Sequence, residues 1–212
     1  MERAKPLKRK RYEHGNYEGY YSKRYSQTKP TIDHDGDMDP RLKLVKASWF
    51  KGKECLDVGC NSGVLTIALA RKFRPKTMVG IDIDATLICL ARKALLAGAN
   101  ATAEESKKGV NVVEGHLQLL PRALRGSASK GGQGNYDLQE CVSFRQEDFL
   151  APESSRTTPE SSLEDPLTYD IVTMFSVIKW IHLNGGDRGV ERAFRRVHAL
   201  LRPGGYLVLE PQ

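Results

Sequence analysis

Apolar positions along this chain fall into short runs separated by helical stripes. Leu42, Val45, Trp49 and Phe50 are spaced to share one side of a helix within RLKLVKASWF. ECLDV at 54–58 then reads as a buried strand, followed by a glycine-marked turn and an apolar helix over about 63–73. A second strand is expected over about 78–81, and an Ala- and Leu-rich helix over about 85–97. There the pattern breaks. Gly, Ser, Lys and Asn dominate 99–140, which reads as a flexible insertion, and a second soft stretch covers 151–166. Strands are expected at 141–149 and 169–177. A helix over 189–201, with Val190, Phe194, Val197 and Leu201 on one face, leads to a last strand over 206–209.

Strands alternating with helices predict an α/β fold, a Rossmann-like and largely parallel sheet with helices on both faces. Ligands of such sheets bind beyond the carboxyl ends of the strands, where the strand order switches. That rule gathers Gly59 to Gly63, Asp82, Asp148 and the Phe175–Ser176 end of the fourth strand around one crevice.

Composition narrows the class without choosing a function. The 212 residues suit one domain, and no apolar run reaches the length of roughly 20 residues that crosses a bilayer, so no membrane role is expected. Cys55, Cys60, Cys89 and Cys141 show no C-x-x-C spacing and read as packed thiols, with no metal implied. The net charge of +7 is concentrated in the opening MERAKPLKRKR, which is either a solvated tail or a phosphate-contacting or nuclear-import segment.

The chemistry starts at LDVGCNSG, residues 56–63. A turn of this kind is expected to point backbone N–H groups and a helix amino end at a ligand. Nineteen residues after Gly63 stands Asp82, a carboxylate placed to accept hydrogen bonds from ribose hydroxyls. A dinucleotide fingerprint wants a second glycine where this chain has Asn61. The order D-x-G-x-N-x-G instead resembles motif I of the class I S-adenosylmethionine-dependent methyltransferases, and LRPGGYLVLE at 201–210 resembles a late motif of the same enzymes. In that family a helix and an antiparallel strand pair follow the fifth strand. This chain stops two residues after it, so the resemblance implies a sheet without its C-terminal strands.

Two further segments resemble the bicoid-interacting-protein type of RNA methyltransferase, the methylphosphate capping enzyme family. One is RYEHGNYEGYYSKRY at 11–25, tyrosines interleaved with basic and His residues; the other is SVIKWIHLNGGD at 176–187. The likeness extends to GIDID at 80–84, FRR at 194–196 and VLEPQ at the end, nearly the whole chain outside the two soft stretches. It implies methyl transfer from S-adenosylmethionine to the 5′-terminal (gamma) phosphate of a small RNA, small nuclear RNA above all, by a nuclear or else cytoplasmic monomer with an RNA-binding protein partner.

By the same resemblance Tyr17 and Arg41 contact the cofactor from the N-terminal side. Gly59, Cys60 and Asn61 line its methionine end, Asp82 and Ile83 its ribose and adenine. Asp148, Phe149 and Phe175 close the adenine and methyl ends, with Asp148–Phe149 standing where the family tends to have Asn-Tyr. Tyr20, Tyr21, Lys179, His182 and Asn184 face the acceptor, Lys179 as the triphosphate contact and His182 as either an acceptor group or a packed histidine. Residues 1–40 would complete the cofactor and RNA site, and residues 41–212 would form the methyltransferase domain. Two alternatives stay open on the sequence: a methyltransferase on an RNA base, ribose or protein, and a non-catalytic RNA clamp.

Overall fold

The computed structural model describes residues 14–15, 39–104, 136–151 and 168–211. Tyr17, Tyr20, Tyr21, most of the N-terminal segment and most of both soft stretches lie outside the described residues. Two one-turn helices come first, α1 (Arg41–Leu44) and α2 (Ala47–Phe50), followed by β1 (Glu54–Val58), α3 (Val64–Phe73), β2 (Thr77–Asp82) and α4 (Ala85–Glu104). After the insertion come α5 (Leu138–Cys141) and β3 (Val142–Gln146), then β4 (Tyr169–Phe175), α6 (Ile178–Leu200) and β5 (Leu201–Glu210).

The five strands form one sheet in the order β3-β2-β1-β4-β5, and every neighbouring pair is parallel. This is the expected Rossmann-like α/β sheet. Strand order reverses between β1 and β4, so the crevice belongs at the carboxyl ends of those two strands. The period-two alternation of β1 divides its side chains between two cores. Cys55 joins Phe50, Leu65, Leu69, Met78, Phe144 and Ile171 on one face, whereas Leu56 and Val58 join Ile81, Val172, Met174, Ala193 and Val197 on the other.

Several local expectations need correcting. RLKLVKASWF is not one helix: Val45 and Lys46 are extended between α1 and α2, which lets Leu42, Val45 and Phe50 all reach the core. The helix expected over 189–201 is present and ends at Leu200, but it is preceded by a helical stretch from Ile178, with a break at Gly186, whose φ of 59° and ψ of −162° are open to glycine. Its buried face is Gly189, Ala193 and Val197, while Phe194 is 39% exposed. Small residues at 189 and 193 bring the helix axis close to its neighbours, which turns Phe194 to the flank. Pro203–Gly204–Gly205 is not a turn before β5 but an irregularity inside it. Leu201 still pairs with Tyr169, and the register jumps so that Tyr206 pairs with Ile171. Cys89, expected to be packed, is exposed on α4.

Candidate active site

The glycine turn is drawn tightly onto the end of β2. Gly59, Asn61 and Gly63 all have left-handed φ, at 75°, 52° and 75°. A Cβ on Gly59 would lie 2.6 Å from Val177 Cγ2, and one on Gly63 would lie 2.6 Å from Phe144 Cζ, so both positions need a bare Cα. The amides of Gly59 and Cys60 donate to the Ile81 carbonyl, at 2.8 and 3.0 Å, and the Asn61 amide to Asp82 Oδ2 at 2.9 Å. Ser62 N–H donates to Asn61 Oδ1 at 2.8 Å and Gly63 N–H to the Cys60 carbonyl at 3.0 Å.

Every amide from Gly59 to Gly63 therefore has an acceptor inside the protein. This corrects the expectation that the turn aims its N–H groups at a ligand. A pyrophosphate would have to break these bonds, whereas a ligand amino group, which donates, meets no such obstacle.

Two carboxylates flank the turn. Asp57 is buried at 3% exposure and accepts from Thr66 Oγ1 at 2.5 Å and Thr173 Oγ1 at 2.7 Å. Burial raises its pKa, against the lowering effect of the two hydroxyls and the Arg41 charge. It ties β1 to α3 and β4 and lies beneath the turn. Asp82 accepts from the Asn61 amide with one oxygen and from the Asp84 amide, at 3.0 Å, with the other. Its pKa is also raised, chiefly by burial, despite both amides. Each Asp82 oxygen retains a second lone pair, which is what ribose hydroxyls need. Cys60 is buried and its thiol is pushed far up by burial, so it packs and is no nucleophile at neutral pH.

Across the crevice, β4 ends in Phe175 and Ser176. Arg41, 5% exposed, donates to Asp39 (Nη2 to Oδ2, 2.6 Å) and to Glu210 (Nη1 to Oε2, 3.3 Å), and its guanidinium lies 5.5 Å from the Phe175 ring centroid. Val177 packs on Gly59, and the Trp180 indole rests on Gly15, where a Cβ would lie 2.3 Å from the ring. Lys179 Nζ sits 5.3 Å from the Trp180 ring centroid. His182 Nε2 lies 2.8 Å from Asp187 Oδ1, and Asn184 Nδ2 donates to the Trp180 carbonyl at 2.9 Å.

The resulting cleft is lined by His14, Gly15, Gly59, Asn61, Asp82, Leu87, Phe175, Ser176, Val177 and Trp180. Of the residues expected from sequence, Gly59, Asn61, Asp82 and Phe175 meet here. Arg41 and Cys60 lie behind the wall. Ile83 follows Asp82 at 36% exposure. Phe149 is buried in the α6-side core beneath Arg196, and Asp148 accepts from the Leu150 amide in an exposed turn. His182 and Asn184 are exposed on α6 and do not line the cleft. His182, at 57%, is therefore not a packed histidine.

Leu87 and Val177 were missed as lining residues. Leu87 had a legible signal: it stands at the start of α4, where its own N–H donates to the Asp84 side chain. The cleft is about 40 Å³, room for a few water molecules.

A family model described as Bicoid-interacting protein 3 (Bin3) matches residues 169–212, and one described as Ribosomal protein L11 methyltransferase (PrmA) matches residues 41–118. A protein of Arabidopsis thaliana named "Probable RNA methyltransferase" is 38% identical over 95% of this chain and 60% of its own length. The U6 snRNA methylphosphate capping enzyme Amus of Drosophila melanogaster is 36% identical over 99% of this chain and 57% of its own. The 7SK snRNA methylphosphate capping enzyme of Homo sapiens is 33% identical over 96% of this chain and 30% of its own. The chain thus spans between 30% and 60% of the length of these relatives.

Proposed function

We propose that the chain is a class I methyltransferase of the bicoid-interacting-protein type and that it transfers a methyl group from S-adenosylmethionine to the 5′-terminal phosphate of a small RNA, a reading supported by its likeness to the RNA methyltransferases and capping enzymes above. The carrying observation is the cleft at the switch of strand order. There a turn with no N–H group to spare meets the half-buried carboxylate of Asp82 at the end of β2, beside a helix whose first turn holds Lys179 and Trp180. The residues present fit the cofactor. Asp82 would accept from its ribose hydroxyls, the Gly59–Asn61 turn would take its amino-acid end, and Leu87 and Phe175 would supply apolar contact.

S-adenosylmethionine, when bound, supplies an electrophilic methyl group with its own leaving group. An RNA phosphate oxygen is already anionic near neutral pH, so the chain need not provide a general base. Its task is alignment and charge. Lys179 would meet the phosphate as a point charge, and the Trp180–Gly15 contact would exclude water once closed. His182 and Asn184, three and five residues beyond Lys179, would contact the RNA next to its end. Tyr20 and Tyr21 would stack there, and Tyr17 would join the cofactor side. Placement of His14–Gly15 in the cleft supports assigning residues 1–40 to completion of the site. The names of the snRNA-modifying relatives and the basic N-terminus support a nuclear role.

The test is transfer of labelled methyl from S-adenosylmethionine to a 5′-triphosphate small RNA, beside the same RNA bearing a monophosphate or stripped by phosphatase. Label that depends on the terminal phosphate supports the proposal, and the two phosphorylated RNAs decide which end is used. Label on the stripped RNA would mean a base or ribose acceptor. Salt-sensitive RNA binding without transfer would mean a clamp.

A further inference from the structure

Among the described residues three non-glycines have left-handed backbone: Asn61, Arg74 and Ser176. Arg74 is the C-cap of α3, where that conformation ends many helices. The other two line the cleft. Asn adopts the left-handed region readily, but Ser does so at a cost that its surroundings must meet.

Glu210 is placed to meet it. Ser176 N–H donates to the Glu210 carbonyl at 3.2 Å, and Ser176 Oγ donates to Glu210 Oε2 at 2.7 Å. The same carboxylate oxygen accepts from Arg41, whose guanidinium covers the Phe175 ring. Phe175 and Glu210 are register partners, the last pair between β4 and β5. The bend at Ser176 also decides where the chain goes next. It brings Val177 onto bare Gly59 and starts α6 so that Trp180 lands on Gly15 with Lys179 beside it.

We propose that Glu210 is a positioning residue: by holding Ser176 in its left-handed bend, it sets the alignment of Lys179 and Trp180 against the glycine turn. This rests on the reading of the cleft as the methyl-transfer site. Glu210 would act through Ser176, and so a glycine at 176, which needs no support to adopt the same φ, makes Glu210 dispensable.

The experiment uses the full chain and two readouts: kcat and RNA KM for methyl transfer, and Trp180 emission in a Trp49→Phe background, which leaves Trp180 as the one tryptophan. Glu210→Ala is expected to lower kcat about tenfold, with RNA KM changed less than about twofold, and to shift Trp180 emission. Glu210→Ala combined with Ser176→Gly is expected to recover most of both. Unchanged emission and kcat in Glu210→Ala, or a loss that Ser176→Gly does not recover, overturns the inference. Should Glu210→Ala not fold, the double variant beside Ser176→Gly alone decides: equal emission supports the inference and unequal emission overturns it. A wild-type chain that transfers no methyl sinks the functional reading, while the emission series still judges the role of Glu210.

Discussion

The two sides of the cleft are built by opposite rules. On the glycine-turn side every amide from Gly59 to Gly63 is already bonded, Asp57 is buried under two hydroxyls, and Asp82 is fixed by two backbone amides. On the α6 side Lys179, His182, Asn184 and Asp187 are exposed: Lys179 lies over the Trp180 ring, His182 pairs with Asp187 and Asn184 donates to the Trp180 carbonyl. A preformed side loses little freedom on binding a small cofactor. An open side leaves its polar groups in water until a phosphate draws them in. The difference suits one small, invariant ligand and one large, charged one.

The comparison breaks most severely at Asp82. Asp82→Ala removes both the proposed ribose acceptor and the anchor of the Asn61 amide, and S-adenosylhomocysteine affinity should fall at least about a hundredfold by calorimetry. Retained affinity would show that the ribose assignment is wrong. The raised pKa of Asp82 carries a related expectation. If ionised Asp82 accepts from the ribose as proposed, affinity should decline on acidification, beginning above the ordinary carboxylate value of about 3.9. Asp82→Asn should flatten that dependence.

Asp57→Ala tests the foundation of the same side. It takes from the buried Thr66 hydroxyl its Asp57 acceptor and leaves Thr173 with the longer bond to the Leu56 carbonyl, and a loss of about 2 kcal/mol is expected in denaturant unfolding. The raised pKa of Asp57 gives this a pH sign: the folded state holds the proton more tightly than the unfolded one. The burial penalty is therefore absent below the unfolded value and grows as pH rises through the folded one. The Asp57→Ala deficit should accordingly be smaller at neutral pH than at pH 4.

The α6 side is sharpened by Lys179→Ala. Turnover of RNA, as kcat/KM, should drop about tenfold while S-adenosylhomocysteine affinity stays within about twofold, and the salt dependence of RNA binding should become shallower. Equal loss of both would move Lys179 into the cofactor shell. The smallest effect belongs to Asp187→Asn. The His182–Asp187 pair is exposed, and Asp187 itself is 99% so, which makes a change in RNA KM of more than about twofold unexpected. A larger one would mean that Asp187 holds His182 in a working orientation.

What could be read in advance follows the same division. Leu56, Val58, Val172 and Met174 announce a buried parallel sheet because strand periodicity is local. Asp82 is legible for a related reason, since a carboxylate one βαβ unit after a glycine turn has one place to go. The part of α6 before Gly186 was missed because Lys179, His182 and Asn184 interrupt the apolar pattern, and the bend at Ser176 that launches it is held by Glu210, far away in sequence. The Pro203–Gly204–Gly205 bulge was mistaken for a turn for the same kind of reason. Its glycines signal a departure from regular backbone, but the register of β5 against β4 decides which departure.

Order along the chain by itself determined the α/β alternation and the crevice at a switch in strand order, since each depends on spacing within consecutive strand–turn–helix units. Tertiary structure alone decided that turn amides are consumed at Ile81 and Asp82, that Arg41 reaches Glu210, and that Trp180 closes on Gly15. Each of these is a contest for a hydrogen-bond or packing partner between segments distant in sequence, and only the folded geometry chooses the winner.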